Sequence, residues 1–390
     1  MKAIADSGSR RIQSVQFPII PTIAEKIRNT PGTISLGQGV VYYLPPELAL
    51  NRVHDFLKNP DNHKYGPVQG LPKLRDAMTE KLSRENRIGL DHSEVVVTAG
   101  SNMGFYHAVL AISDPGDEFI ITDPYYFNHE MAIKMAGCRP VAIPVDKDYQ
   151  LQIERIAAAV SPRTRAIVTI SPNNPTGAVY SEDSLRFIND LCRSKGIYHI
   201  SDEAYEYFVY GSSRHFSPAS IPGASAHTIS LFSLSKAYGF ASWRIGYMVI
   251  PCGLLESISK IQDTLLICPP LISQFAALGA LEAGHDYFQS NFAHIRAMRS
   301  EFLARLGELG EYVETPVSEG AFYILLKVRT NIDDRVLVDR LIQCYKVAVI
   351  PGSAFGINQG CYLRVGYGAL DRNHAEAGIS RLVDGLRGLL

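Results

Sequence analysis

One lysine in this chain stands where chemistry could be done. Lys236 follows two hydroxyls in Ser233-Leu-Ser235 and is itself followed, eight positions on, by Arg244. A primary amine can join a carbonyl carbon as a Schiff base, and a phosphate dianion calls for charge-assisted donors from several directions. The set suits an aldehyde cofactor that carries a phosphate, and pyridoxal 5'-phosphate is that molecule. A lone lysine would mean little, since most are solvated surface groups. The serines and the arginine at a fixed offset single Lys236 out, and burial with nearby cations would lower its pKa enough for attack on an aldehyde.

Three further stretches place reactive residue types at the ends of expected strands. Ser171-Pro-Asn-Asn-Pro-Thr-Gly177 follows an expected strand at 166–170. Ser201-Asp-Glu-Ala-Tyr205 follows another at 197–200, which puts Asp202 and Tyr205 at the same edge. Ala99-Gly-Ser-Asn-Met-Gly104 follows 94–98 and opens a helix, whose free N–H groups suit an anion. Asn, Pro and Gly are turn residues in any case, and Asp202 would serve equally as a helix N-cap. Convergence of the strand ends before 171, before 201 and before Lys236 on one crevice is what joins them. Two other motifs fail. His129-Glu130 begins a metal-binding pattern but Ile133 stands where the second histidine is needed, and Gly37-Gln-Gly39 would need its third dinucleotide-loop glycine at Tyr42.

Such a crevice needs a sheet behind it. From about residue 70, helical and strand patterns alternate, which argues for a mostly parallel sheet covered by helices. Leu74, Met78 and Leu82 form one apolar helical stripe, and Leu185, Ile188, Leu191 and Cys192 share a face across 182–195. Expected strands lie at 94–98, 119–122, 141–143, 166–170, 197–200, 229–231 and 245–250, with Lys236 in a short polar bend after 229–231. Beyond about 275 come a long helical stretch over 275–309, a strand at 321–327, a helix near 335–342, two short strands and a terminal helix over 372–390. This reads as a second, smaller α+β unit. The expected division is an N-terminal segment, 1–45, packing on the small domain, a large cofactor-binding domain, 46–275, and a small domain, 276–390.

Composition bounds the rest. A chain of 390 residues, 46% hydrophobic and 20% charged, can bury a large core and is not of the disordered type. A net charge of −1 without a Lys/Arg cluster offers no field for a polyanion, so nucleic acid is not an expected partner. No stretch approaches 18 uninterrupted apolar residues, and 1–11 carries Lys2, Asp6, Arg10 and Arg11 without an apolar signal core. The expectation is a cytoplasmic protein without membrane contact. Cys138, Cys192, Cys252, Cys268, Cys344 and Cys361 are scattered with no Cys-x-x-Cys pair and read as reduced core thiols, with no metal site.

The ordered set Asn174-Pro-Thr-Gly177, Asp202-x-x-Tyr205, Ser233-x-Ser-Lys236 and Lys236-x7-Arg244 resembles that of the fold type I pyridoxal-phosphate enzymes, and specifically the class I/II aminotransferases, over nearly the whole chain. The resemblance implies an α/β fold, with a large domain built on a mostly parallel sheet plus a smaller α+β domain. It implies that Lys236 carries the cofactor, that Asp202 pairs with the pyridine nitrogen and that Asn174 with Tyr205 bonds the phenolic oxygen. Lys236, Asp202 and Tyr205 are thereby the catalytic set. Ser101, Asn102, Ser233, Ser235 and Arg244 would hold the phosphate, Tyr126 would stack on the ring, and Tyr65 would reach the phosphate of the other subunit of a homodimer with shared active sites. For the substrate, the resemblance assigns Gly39 a backbone contact, Asn174 a bond and Arg364 the clamp on the α-carboxylate. Ser242 stands where many members have glycine and Gly366 where many have serine, which touches loop geometry and substrate fit.

The implied activity is a ping-pong transfer of an amino group between an amino acid and a 2-oxo acid, with glutamate and 2-oxoglutarate as the default pair. Gly37-Gln-Gly39 faintly resembles the kynurenine, glutamine and methionine aminotransferases, and no distal cation for aspartate is assignable. A carbon–sulfur β-eliminating lyase of the same fold is the alternative, because its ring-binding residues would be the same. A transcriptional sensor of this fold would need a helix-turn-helix ahead of Gly32, for which the 31 preceding residues are too few.

Overall fold

Runs of valine and isoleucine build the centre of the molecule, because β-branched side chains pack well on a pleated surface. The computed structural model describes residues 8–316 and 318–390, so what the sequence suggested for residues 1–7 lies outside it. One sheet has seven strands in the spatial order Ser93–Thr98, Gly246–Pro251, Thr228–Ser233, Tyr198–Asp202, Thr164–Ile170, Glu118–Asp123 and Arg139–Pro144. Gly246–Pro251 pairs antiparallel with both neighbours, and every other pair is parallel. A parallel sheet is covered on both faces. Val95, Val96, Val97, Ile120, Ile121, Ile167 and Ile229 are buried accordingly.

The covering helices follow local rules. Glu182–Lys195 starts where Ser181 Oγ accepts from Ser184 N at 3.2 Å and ends where Gly196 turns left-handed at φ 66°. Leu185, Ile188 and Cys192 face inward as expected. Leu191 is only half-buried, and Asn189 takes a buried place instead, donating to Thr228 Oγ1 at 2.8 Å. The stretch expected at 275–309 is Leu271–Gly307, broken at Gly284, whose φ of 69° and ψ of −166° are open to glycine. The boundary drawn at 275/276 falls inside its first part. Four of the cysteines are buried, while Cys252 and Cys344 lie on the surface, so the expectation of core thiols is corrected for those two.

A second sheet sets the other side of the site. Its four antiparallel strands run in the order Ile350–Pro351, Cys361–Gly366, Tyr323–Val328 and Val313–Glu314, with Arg364 opposite Leu325 and Ile350. Ile34–Ser35 pairs parallel with Val347–Ala348, and Gly366 N donates to Leu36 O at 2.6 Å. That pairing holds the chain leading into Gly37–Gly39 against the second sheet. Among the described residues, no helix is long and apolar enough to cross a membrane.

Candidate active site

Parallel strands deliver their carboxyl ends to one edge, and a ligand there meets the first residues of each following loop. Ser101, Asn102, Tyr126, Ile170, Asn174, Asp202, Ala204, Tyr205, Ser233, Ser235, Lys236 and Arg244 line one cavity with about 450 Å³ of empty space. A larger cleft of about 1490 Å³ shares none of these residues. Residue type, and not size, makes the smaller cavity the candidate.

Lys236 is carried by one helical turn, Leu234–Ala237, where a bend was expected, and Ser233 Oγ caps that turn by accepting from Ser235 N at 3.1 Å. The Tyr43 hydroxyl donates to the carbonyls of Lys236 and Ala237 at 3.3 and 3.0 Å, which ties the turn to the N-terminal segment. Lys236 Nζ donates to Gly39 O at 2.6 Å. A carbonyl does not neutralise an ammonium. Burial above all, then the guanidiniums of Arg364 and Arg244, push the pKa down from 10.5 to about 8, while Asp202 opposes the shift. An amine so tuned is far more often neutral near pH 7, as a nucleophile or base must be.

At one end of the cavity are anion donors. The helix Ser101–Ile112 begins there, with its first N–H groups free of intrahelical partners. Arg244 donates only to the carbonyls of Ala241 and Ala99, at 3.0 and 3.4 Å, and has no carboxylate partner among the described residues. Gly100 has a φ of 84°, and a Cβ on it would overlap Arg244 Nη2, so this glycine lets the guanidinium lie beside the helix start.

Deeper in lies Asp202, whose Oδ1 accepts from Ala204 N at 3.1 Å. His129 Nε2 sits 3.0 Å from Asp202 Oδ2, a close approach but poorly angled for a hydrogen bond, with the His129 ring stacked on Phe105 at 3.8 Å. The Tyr126 hydroxyl accepts from Asn102 and Asn128 at 3.4 and 2.9 Å. In the 171–177 turn the two asparagines divide the work. Asn173 Oδ1 accepts from Thr176 N and Oγ1, at 3.2 and 2.8 Å, and holds the turn, which leaves Asn174 to face the cavity.

Arg364 is 2% exposed and donates to Asn174 Oδ1 at 2.9 Å and Gly37 O at 2.7 Å, with its Nε unpaired among the described residues. A buried guanidinium with a free donor and no carboxylate beside it is short of an anion. Gly39 sits between the two ends, and a Cβ there would come within 2.6 Å of Tyr323 Oη. Of the residues singled out from the sequence, only Tyr65 stands apart. It is 79% exposed, in a loop whose Gly66 N donates to Cys268 Sγ at 3.4 Å.

Two residues of this neighbourhood lie outside the set that the motifs assign. The sequence around His129 suggests only a failed metal motif, although the residue lies three positions after Tyr126 at the start of Phe127–Met135 and therefore on the same helical side. Tyr323 was read as one more strand residue, yet its hydroxyl is 2.9 Å from that of Tyr205.

The family model described as aminotransferase class I and II matches residues 31–382. An aromatic aminotransferase of Arabidopsis thaliana is 34% identical over 391 residues, 98% of this chain and 97% of the relative. An aspartate/prephenate aminotransferase of Thermus thermophilus is 34% identical over 323 residues, 80% of this chain and 81% of the relative. The solved structure of an aromatic aminotransferase from Pyrococcus horikoshii superposes with a TM-score of 0.86 at 30% identity, covering 94% of this chain and 99% of that one.

Proposed function

The chain belongs to the class I and II aminotransferase family, and from that premise we propose that its Lys236 cavity holds pyridoxal 5'-phosphate and is the site of amino-group transfer. It is an aminotransferase, of fold type I, and the relatives leave the lyase alternative without support. The family is pyridoxal-phosphate-dependent. The observation that carries the site is the Lys236 amine, tuned to a pKa of about 8, between a donor-rich end at Ser101, Asn102, Ser233, Ser235 and Arg244 and a carboxylate at Asp202. Two guanidiniums without carboxylate partners among the described residues, Arg244 and Arg364, fit two further anions, a phosphate and a substrate carboxylate.

When bound, the cofactor supplies an aldehyde carbon for the amine and a ring that accepts the electron pair released as the substrate's Cα loses its proton. Asp202 would keep the ring nitrogen protonated, as an ionised carboxylate favours a nearby cation. Asn174 spends its oxygen on Arg364, so its Nδ2 is left as the donor to the phenolic oxygen, with Tyr205 as the second. Tyr126 would cover the ring. Lys236 Nζ, when free of the aldehyde carbon, would be the base that takes the Cα proton and passes it to that carbon, and that runs the same transfer in reverse in the other half-reaction. Arg364 would clamp the α-carboxylate with its fork, with the Gly39 backbone against the substrate. Aspartate and aromatic amino acids share one α-amino-acid end, which is the part the Lys236–Arg364 pair would hold.

The exposed Tyr65 supports a homodimer, because it is 79% exposed and does not line its own chain's cavity, which leaves it free to reach another copy's site. The division into 1–45, 46–275 and 276–390 belongs to the same proposal. Borohydride reduction of the cofactor-loaded protein followed by peptide mapping should place the pyridoxyl mass on Lys236. Labelling of another lysine would sink the assignment.

A further inference from the structure

We propose that Tyr323 is a positioning residue that ties the Tyr205 hydroxyl to the Arg364 guanidinium, so that a single ring sets both the cofactor side and the carboxylate side of the site. Tyr323 is 1% exposed, at the start of the strand Tyr323–Val328, where it pairs opposite Gly366. Its carbonyl accepts from Ser318 Oγ at 2.8 Å, which fixes the backbone beneath the ring. From there the side chain touches three parts of the site. Its hydroxyl is 2.9 Å from the Tyr205 hydroxyl, its face carries the Arg364 guanidinium 4.3 Å from the ring centre, and its Oη closes over Gly39.

Each contact has a consequence. A Tyr205 hydroxyl that donates to the cofactor's phenolic oxygen has its own oxygen free to accept, and Tyr323 is the hydroxyl placed to donate to it. Consecutive hydrogen bonds polarise one another, so the Tyr323 proton strengthens the bond that Tyr205 makes onward. The ring face acts separately. It holds the guanidinium by a desolvated cation–π contact that leaves Arg364 Nε without a partner among the described residues.

The inference rests on the reading of the Lys236 cavity as the cofactor site, and two variants separate its halves. Tyr323→Phe keeps the ring and loses the hydroxyl. With a weaker donor, more negative charge stays on the phenolic oxygen and holds the neighbouring proton more tightly. The pH at which the bound cofactor changes its absorbance should therefore rise by roughly half a unit to one unit. KM for an amino acid should stay within about twofold, because the ring that orients Arg364 remains. Tyr323→Leu loses both, and should show the same spectral shift with KM for amino acids raised about tenfold and KM for amines lacking a carboxylate unchanged. A transition that stays at the wild-type pH in Tyr323→Phe overturns the hydroxyl tie, and that near-isosteric variant decides even where the leucine variant is unstable. An unchanged amino-acid KM in a folded Tyr323→Leu overturns the ring tie. Wild-type protein that shows no cofactor absorbance overturns instead the reading of Lys236, and the inference falls with it.

Discussion

Two lysines, Lys81 and Lys236, are drawn in from solvent beside neighbouring residues of one loop, Glu206 and Tyr205, and their surroundings are opposite. Lys81 is 4% exposed and donates to both oxygens of Glu206 at 2.6 Å and to Asn86 Oδ1 at 2.8 Å, over the faces of Tyr207 and Phe232. Asn86 in turn donates to Glu206 and Ser217, so every member of the cluster is satisfied. Lys236 has one carbonyl, two guanidiniums in range and, among the described residues, no carboxylate in contact. The same side chain serves two ends. A full set of partners fixes a charge and anchors structure, while a sparse set that includes like charges frees the amine to lose its proton.

Exchanging the demands on the two lysines is the sharpest way to break this comparison. Lys236→Ala should lower kcat/KM by about 10⁴-fold or more, since the nucleophile and the base go together, while leaving the melting temperature close to wild type. A residual activity within tenfold of wild type would remove Lys236 from the chemistry. Lys81→Met should do the reverse. It leaves the Glu206 carboxylate buried without its cation, which should cost roughly 3 to 5 kcal/mol of stability in urea unfolding. The folded fraction should keep its cofactor absorbance, and Lys81→Met with Glu206→Leu should recover most of the loss. A single variant as stable as wild type would show that the cluster is not an anchor.

The smallest effect is a pH dependence, and it belongs to Lys236 alone. Its folded pKa, about 8, lies below the usual 10.5. Below about 8 both folded and unfolded states hold the proton, and the folded state bears the cost of the charge. Above 10.5 neither holds it. The cofactor-free protein should therefore gain stability as pH climbs through that window, by roughly 1 to 2 kcal/mol for an amine that partly reaches the cavity. Subtracting the same titration of Lys236→Met isolates the term, and a flat difference would mean that the amine is not shifted.

Much of this was readable beforehand, for reasons that are local. Helical and β-branched patterns repeat within a few residues, so the alternation from 93 to 251 and the helix Glu182–Lys195 follow from side chains that are neighbours in the chain. Half of the proposed phosphate end is equally local, with Ser233, Ser235, Lys236 and Arg244 all within a dozen positions, while Ser101 and Asn102 come from far earlier in the chain. Where the reading slipped, a non-local demand had intervened. Asn189 displaced Leu191 from the buried face because Thr228 on another strand offered a partner, and Gly284 broke a helix that periodicity alone would have continued.

By itself, then, the sequence determined which residue types could hold an aldehyde, a phosphate and a carboxylate, and that strand ends would carry most of them. Tertiary structure decided which of them meet. Lys236 finds the Gly39 carbonyl across 197 positions, Arg364 finds Asn174 across 190, and Tyr205 finds Tyr323 across 118. No pattern of a few residues encodes such distances. They exist because the seven-stranded and four-stranded sheets share one apolar core, and the polar groups brought in where they meet, partly desolvated, must satisfy one another.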